Sequence, residues 1–412
     1  MDLLSIVGVV AFIVALLLSV MIHEAGHYLT AKRFGMKVTE FFLGFGKKIW
    51  STQRGETEFG IKAIPAGGYC KIVGMSPREV LSEEDQPRAF IRGSITQRLI
   101  VLGAGSFLHF VLGFILIFTL FVVVGTTQTL NKVDQVFPCI LQEGESECSP
   151  YSLRSPASIV GIAPGDEIIS VAQLDQAGIS QREDLGQGEM RWRDIVEVIR
   201  SSPGKQLVLD INRNGEVIQI TILVGTRISD GQEFGVIGVI NEVGNVRSAP
   251  VQGLRDSASF VKDVVTGSLK ALAKLPTYIP ALLNQTFGGE MRDPEGLVGI
   301  VGVARTTGEA TSSERLDVND KIGFFLVIVA GLNIFVGVFN LLPILPLDGG
   351  HMAVAITDGV KRWWARQRGK PAPKPVDVEK LTPITLVVVA AMISLTLLLL
   401  LADIINPVKL GF

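Results

Sequence analysis

The chain has 412 residues, 48% of them hydrophobic and 19% charged, with a mean hydropathy of +0.41. That balance is too apolar for an ordinary soluble enzyme and too polar for a chain lying wholly in lipid, so spanning helices combined with a substantial water-facing part are expected. A formal net charge of −2 gives no reason to invoke nucleic acid, and three cysteines exclude a disulfide-rich scaffold.

The first apolar stretch, Leu3–Ile22, carries no charge, is long enough to cross a bilayer and continues helically toward Ala31. No basic residue precedes it and its apolar run is long, so it reads as a retained span rather than a signal peptide. His23-Glu24-Ala25-Gly26-His27 follows at once. Residues four apart share a helix face, so both imidazoles reach one zinc ion, with Glu24 beside them as a base for an attacking water. The five-residue pattern alone is weak, and histidines snorkelling at a helix end are the plain alternative. Its position against a spanning helix narrows the reading.

Beyond this span, Lys48–Gln53 and Thr57–Ile64 flank Arg54-Gly55-Glu56 and predict a β-hairpin, after which Pro65-Ala66-Gly67-Gly68-Tyr69 breaks the regular pattern. Such a hairpin is either packed on the membrane surface or offers an edge strand to an extended substrate. A second span runs from about Leu99 to Val124, a third from Ile322 to about Leu342 and a fourth from Ile384 to Ile405. Lys32, Arg33, Lys37, Lys47, Lys48, Arg88, Arg92 and Arg98 lie between the first and second spans. Lys361, Arg362, Arg366, Arg368, Lys370 and Lys374 lie between the third and fourth. By the positive-inside rule both loops are cytoplasmic, both termini are outside, and the long segment between the second and third spans is extracytoplasmic.

In that long segment, Gly161–Ile169 is a turn entering a strand, Trp192–Ile199 is helical, and the strands Gln206–Asn212 and Glu216–Leu223 flank Asn214-Gly215. This arrangement resembles a PDZ domain, with an insert around Gln173–Glu189 longer than usual. Cys139 and Cys148 can pair if they face an oxidising compartment, leaving Cys70 free. Val251–Glu290 repeats Leu254, Ala258, Val261, Val265, Leu269 and Leu272 at helical spacing with charges between, the pattern of a helix that lies on the outer membrane face or caps the core rather than spanning. Lys361–Lys380 reads as a basic linker.

Two histidines leave zinc short of a ligand. Asn340-Leu341-Leu342-Pro343-Ile344-Leu345-Pro346-Leu347-Asp348-Gly349-Gly350-His351 supplies a candidate in Asp348, since an aspartate at the edge of a span is costly unless paired or metal-bound. Two prolines stop the helix before it and two glycines let the chain turn after it. The first helix reaches His23 at its inner end after roughly 20 residues, or about 30 Å, and two further crossings return the chain to the same depth at Asp348. A turn-forming cap is the plain alternative for Asp348. His351 reads as a loop residue beside the site rather than a ligand, His109 as a hydrogen-bonded packing residue or, alternatively, one that faces the metal cavity, and Asn340 as a helix-end polar group or an amide that contacts substrate.

Together, His23-Glu24-Ala25-Gly26-His27, Pro65-Ala66-Gly67-Gly68-Tyr69, the PDZ-like segment and Asn340-x-x-Pro343-x-x-Pro346-Leu347-Asp348-Gly349 resemble the bacterial site-2 proteases, over nearly the whole chain and in that family's order. The resemblance implies an intramembrane zinc metalloprotease with His23, His27 and Asp348 as Zn2+ ligands, Glu24 as catalytic base and Asn340 as a substrate-contacting residue. It implies cleavage of single-pass transmembrane proteins such as anti-sigma factors, already trimmed by another protease. Many relatives carry Gly-Pro-x-x-Asn where this chain has Gly105-Ser106-Phe107-Leu108-His109, so that asparagine's role does not carry over to His109. A single PDZ-like unit is closer to actinobacterial or Gram-positive members.

The expected fold is therefore a polytopic α-helical membrane protein with four transmembrane helices, a cytoplasmic β-hairpin region and an extracytoplasmic PDZ-like α+β domain. The first helix and its motif take residues 1–34, the hairpin or re-entrant region 35–97, the second helix 98–125 and the PDZ-like domain 126–245. The amphipathic region takes 246–320, the third helix and motif loop 321–352, the basic cytoplasmic linker 353–382, and the fourth helix with the tail 383–412. The expected place is the cell membrane, with the active site near the cytoplasmic side. Two other readings are an inactive membrane adaptor that holds partners through the PDZ-like domain, and an ion or metal transporter, which would need more spans.

Overall fold

Asp2 accepts a hydrogen bond from the Ser5 backbone N–H at 2.8 Å and so starts the first helix, α1 (Leu3–Arg33), in the computed structural model of the chain. The structure describes residues 2–75, 79–141, 147–174, 180–181, 191–229, 231–293, 296–371 and 376–408. They form two units, Met1–Thr126 with Arg247–Phe412, and Thr127–Val246. Most of the insert around Gln173–Glu189, together with Pro294, Glu295 and Lys374, lies outside the described residues.

In the first unit, α1 buries Gly8, Phe12, Ser19, His23, Gly26 and His27 along one face at helical spacing. Leu3, Val7, Val10, Val14 and Leu18 stay exposed, as suits a helix whose solvent is hydrocarbon. The hairpin that follows is longer than the residues around Arg54-Gly55-Glu56 predict: β1 spans Val38–Arg54 and β2 spans Thr57–Ile72. Residues 40–43 of β1 lie between residues 68–71 of β2 on one side and residues 58–61 on the other. Pro65-Ala66-Gly67-Gly68-Tyr69 does not end the strand, because Gly67 (φ 134°), Gly44 (φ 85°) and Gly46 (φ 83°) let both strands curl with register shifts instead of breaking. Ser94 and Gln97 form a capping box that starts α2 (Ile95–Thr119), which a π turn extends to Val124. A Cβ on Gly26 would lie 2.7 Å from the Ala104 carbonyl, so this glycine is what lets α1 and α2 touch backbone to backbone.

The second unit holds β3 (Thr126–Val136), α3 (Pro156–Val160), β4 (Glu167–Leu174), β5 (Ser180–Gln181), α4 (Trp192–Arg200), β6 (Gln206–Arg213), β7 (Glu216–Leu223), β8 (Gly225–Ser229), β9 (Gln232–Val236) and β10 (Val239–Val246). The main sheet runs β10-β3-β4-β6-β7 with β5 beside β4, and β8 pairs with β9. Val133, Ile168, Ile195, Leu207, Leu209, Ile211 and Ile222 form its core. Asn214, with φ 53°, and Gly215 make the β6–β7 turn. Asp166 is buried, accepts from the Ala163 N–H at 2.8 Å and takes both Nε and Nη2 of Arg213 at 2.8 and 2.7 Å. Cys139 and Cys148 are joined in a disulfide, and Cys70 is free.

Returning to the first unit, the amphipathic stretch becomes one long helix, α5 (Pro250–Phe287), and α6 (Ile300–Ser312) packs on α1. A Cβ on Gly8 would meet Thr311 Oγ1 at 2.5 Å, and one on Gly308 would meet the Ser5 carbonyl at 2.8 Å. Next come α7 (Val318–Asn340), α8 (Asp348–Gln367) and α9 (Thr382–Ile405). Two expectations need correction here. Gly349 and Gly350 are not a turn after Asp348 but the first turn of α8. Side chains there would run into the chain before them, at 2.3 Å from Leu341 and 2.5 Å from Leu345. The basic stretch is also no simple linker, being helical as far as Gln367, with buried Asp358 accepting the Val376 N–H at 2.7 Å. Among the described residues four helices are long and apolar enough to cross a membrane: Leu3–Arg33, Ile95–Val124, Val318–Asn340 and Val378–Ile405.

Candidate metal centre

The two histidines sit one turn apart on the buried face of α1, and α2 closes over them. His27 Nδ1 lies 2.7 Å from the Val101 carbonyl oxygen. A carbonyl only accepts, so Nδ1 carries the proton and Nε2 is left with its lone pair. His23 is seated differently. Gly105 of α2 makes room for its ring, since a Cβ there would lie 2.5 to 2.7 Å from three ring atoms. Its Nδ1 is buried and has no hydrogen-bond partner among the described residues.

The third group arrives from a distant part of the chain. α7 stops at Asn340, the loop through Pro343 and Pro346 turns back, and Asp348 opens α8. Asp348 Oδ2 lies 3.2 Å from His23 Nε2 and 3.4 Å from His27 Nε2, and the two Nε2 atoms are 3.0 Å apart. Three electron-rich atoms aimed at one buried point repel each other unless a cation or a proton lies between them. A tetrahedral zinc ion with bonds of about 2.0–2.1 Å sets its ligand atoms roughly 3.3–3.4 Å apart. The spacing and the donor types both fit that ion, and three protein donors leave the fourth position open for chemistry.

Glu24 lies beside the cluster, where β2 meets it: a Cβ on Gly68 would be 3.3 Å from Glu24 Cγ, and the Cys70 backbone bonds its carboxylate. The Cys70 thiol is pushed up to about 12, first by burial and then by the nearby Glu24 charge, which disfavours the thiolate. Asn340 closes α7, half-buried, eight residues before Asp348, with no hydrogen bond to the cluster among the described residues. His351 lies one turn past Asp348 and outside the three-residue cluster. His109 is buried and hydrogen-bonded through Nδ1 to Asn333 Oδ1 at 2.8 Å, a packing arrangement of the kind its sequence position suggests. Sequence reasoning missed Asn333. Its signal is an uncharged amide in mid-span, seven residues before Asn340 and so on the same helix face.

Two imidazoles and a carboxylate closed around one point, a glutamate next to the first imidazole and long apolar helices on both sides define a class: membrane metallopeptidases that use zinc. Comparison with known proteins agrees. The signature of peptidase family M50 matches residues 11–377. The chain is similar to the zinc metalloprotease Rip1 of Mycobacterium tuberculosis, 34% identical over 414 residues covering 98% of this chain and 99% of that protein. It is equally similar to Rip1 of Mycolicibacterium smegmatis, 34% identical over 420 residues and 98% of each chain. The chain belongs to peptidase family M50, the site-2 proteases, and is a membrane protein and a zinc metalloprotease.

Proposed function

We propose that this metalloprotease is an intramembrane endopeptidase that cuts transmembrane segments of single-pass proteins, with His23, His27 and Asp348 holding the zinc and Glu24 as its base. One observation carries the reading: donor atoms from α1 and α8, more than 300 residues apart in sequence, come within 3.4 Å of one another. When bound there, zinc supplies a Lewis acid that polarises the scissile carbonyl and acidifies water. Glu24 accepts a proton from the attacking water as its oxygen bonds to the carbonyl carbon, then delivers that proton to the amide nitrogen as the C–N bond breaks. Asn340, at the end of α7, serves as an amide that holds the substrate backbone or donates to the oxyanion.

A substrate helix must unwind before its carbonyl can be attacked. Among the described residues, 68–71 of β2 pair with a strand on the β1 side only, and the other edge runs past Glu24, so an extended substrate strand added there comes to the site already unwound. In the topology this reading adopts, the hairpin and the start of α8 face the cytoplasm, the basic loops being the guide. Thr127–Val246 then lies outside, where a disulfide such as Cys139–Cys148 persists. We read that unit as the PDZ-like domain. A groove along α4, lined by Phe137, Ile140, Trp192, Val196 and Ile237, offers an apolar seat of the kind such domains use. Anti-sigma factors already trimmed by another protease are the substrate class that this architecture suits.

Glu24→Gln is the deciding variant. It should keep stoichiometric zinc and lose at least about 100-fold in cleavage of a membrane-embedded substrate, the usual range for a removed general base. Asp348→Ala should lose the metal itself. Turnover that survives Glu24→Gln would remove the base assignment, normal cellular function of that variant in a protein without metal would favour an adaptor, and equal zinc in wild type and Asp348→Ala would remove the third ligand.

A further inference from the structure

The two histidines of the cluster are held by different means. His27 has a hydrogen bond from Nδ1 to the Val101 carbonyl, the usual way a liganding imidazole is oriented. His23 has none, and an imidazole without such a bond is free to rotate about its χ2 unless something packs against the ring. What packs against it is Gly105 on one side and the ring of His109, its centroid 5.0 Å from that of His23 and tilted by 38°.

His109 is in turn locked. Asn333 Nδ2 donates to the Val329 carbonyl at 2.7 Å and to Ser19 Oγ at 3.0 Å, which leaves Oδ1 to accept from His109 Nδ1 at 2.8 Å. The Val329 carbonyl settles the amide's orientation, because a flipped amide would set two acceptors face to face. Ser19 lies one turn before His23 on α1, so the chain Ser19–Asn333–His109 joins α1, α7 and α2 and ends against the His23 ring. All three residues are buried. Gly337, one turn past Asn333, lets α7 come this near, since a Cβ there would lie 3.3 Å from the His109 Cβ. A satisfied polar chain in an apolar interior is rigid, because moving any member leaves a buried polar group unpaired.

We infer that His109, fixed by Asn333 and Ser19, is a positioning residue that holds the His23 ring in its metal-binding orientation. It takes the place of the hydrogen bond that His23 lacks. The inference rests on the zinc site proposed above and adds to it a support that acts by ring packing.

Zinc affinity by chelator competition and the d–d spectrum of the cobalt-substituted protein test this, neither of which depends on turnover. His109→Ala should weaken zinc binding by about 10–100-fold, the usual cost of losing a residue that orients a ligand, and should change the cobalt spectrum. His109→Phe keeps a ring of similar size without the bond to Asn333, so it should restore part of the affinity and fall short of wild type. Wild-type affinity and spectrum in His109→Ala, with zinc still lost in His23→Ala, overturn the inference and leave the site standing. A loss that His109→Phe does not recover at all also overturns it, since a ring is then not what matters. Wild-type protein without stoichiometric zinc overturns the site and this inference together.

Discussion

Gly105 and Gly103 stand two residues apart on α2, and the geometry assigns them opposite tolerances. A methyl group on Gly105 would fall 2.5 to 2.7 Å from three atoms of the His23 ring, against which the His109 ring also packs. A methyl group on Gly103 would reach only the flexible end of Met352, at 3.7 Å, an ordinary contact. Gly105→Ala should therefore lower zinc affinity by about 10-fold or more and activity with it, while Gly103→Ala should match wild type in both. Metal titration of the two purified variants decides it. At this scale the sequence was uneven. That His23, His27 and Asp348 come together with Glu24 beside them is legible, because a zinc site of the proposed kind would demand those residue types at those places. Asn333 is marked only by its mid-span position and its spacing from Asn340, which do not name its partners, since Ser19 and His109 lie on other helices. Neither glycine shows from sequence alone whether it clears room for a ligand or merely sits in a helix.

Between elements, the hairpin's link to α1 runs through Glu56. Arg88 Nη1 and Nη2 each donate to its carboxylate at 2.7 Å, and Lys32 from the last turn of α1 adds a third bond. Those hydrogen bonds, Arg88's first and then Lys32's, hold the Glu56 carboxyl at about 2, against an ordinary 4.5. A folded pKa below the unfolded one makes this link fully present above the ordinary value of 4.5 and lost as pH falls through about 2. Hydrogen exchange in β1 and β2 should accordingly quicken between about pH 4.5 and pH 2, after correction for intrinsic rates. Glu56→Gln should exchange faster at neutral pH and show little further change on acidification through that window. A wild-type profile that the variant reproduces would mean that another group carries the acid response. The spans and the hairpin turn were legible, because long apolar runs and a glycine turn are local signals. The full lengths of β1 and β2 were not: Pro65 and paired glycines read as a break, and only the tertiary pairing of residues 40–43 with two segments holds the strand together. The helicity of α8 was hidden in the same way beneath basic residues that suggested a linker.

At the scale of the molecule, the chain order and four apolar helices follow from composition, but what fastens the fourth span does not. The most hydrophobic stretch of α9 has no buried residue, and burial is confined to Ala402 and Asp403 near its end. There Asp403 accepts the Gly302 N–H at 2.7 Å and the Gly299 N–H at 3.3 Å, acting as a cap on the first turn of α6 from another helix. Arg292 Nη2 lies 3.4 Å from the same carboxylate and 2.5 Å from the Leu297 carbonyl, with its side chain 2% exposed and that of Asp403 1%. Since α6 packs on α1, the end of the fourth span is fastened to the helix that carries both histidines. An aspartate near the end of an apolar run reads from sequence as a residue reaching water, and only the fold reveals the arginine and the helix start around it. A buried ion pair is costly to break from one side, because the remaining charge has no solvent: Asp403→Ala should cost about 3–5 kcal/mol of stability. The double change Arg292→Met with Asp403→Leu removes both charges and should recover a large part of that loss, short of the bonds α6 loses at its first turn. Unfolding of the three proteins in the same detergent, each with zinc removed to separate fastening from metal binding, gives the comparison. If the single and double variants unfold alike, the arginine charge is not what Asp403 neutralises, and the carboxylate's contribution is the cap on α6 alone.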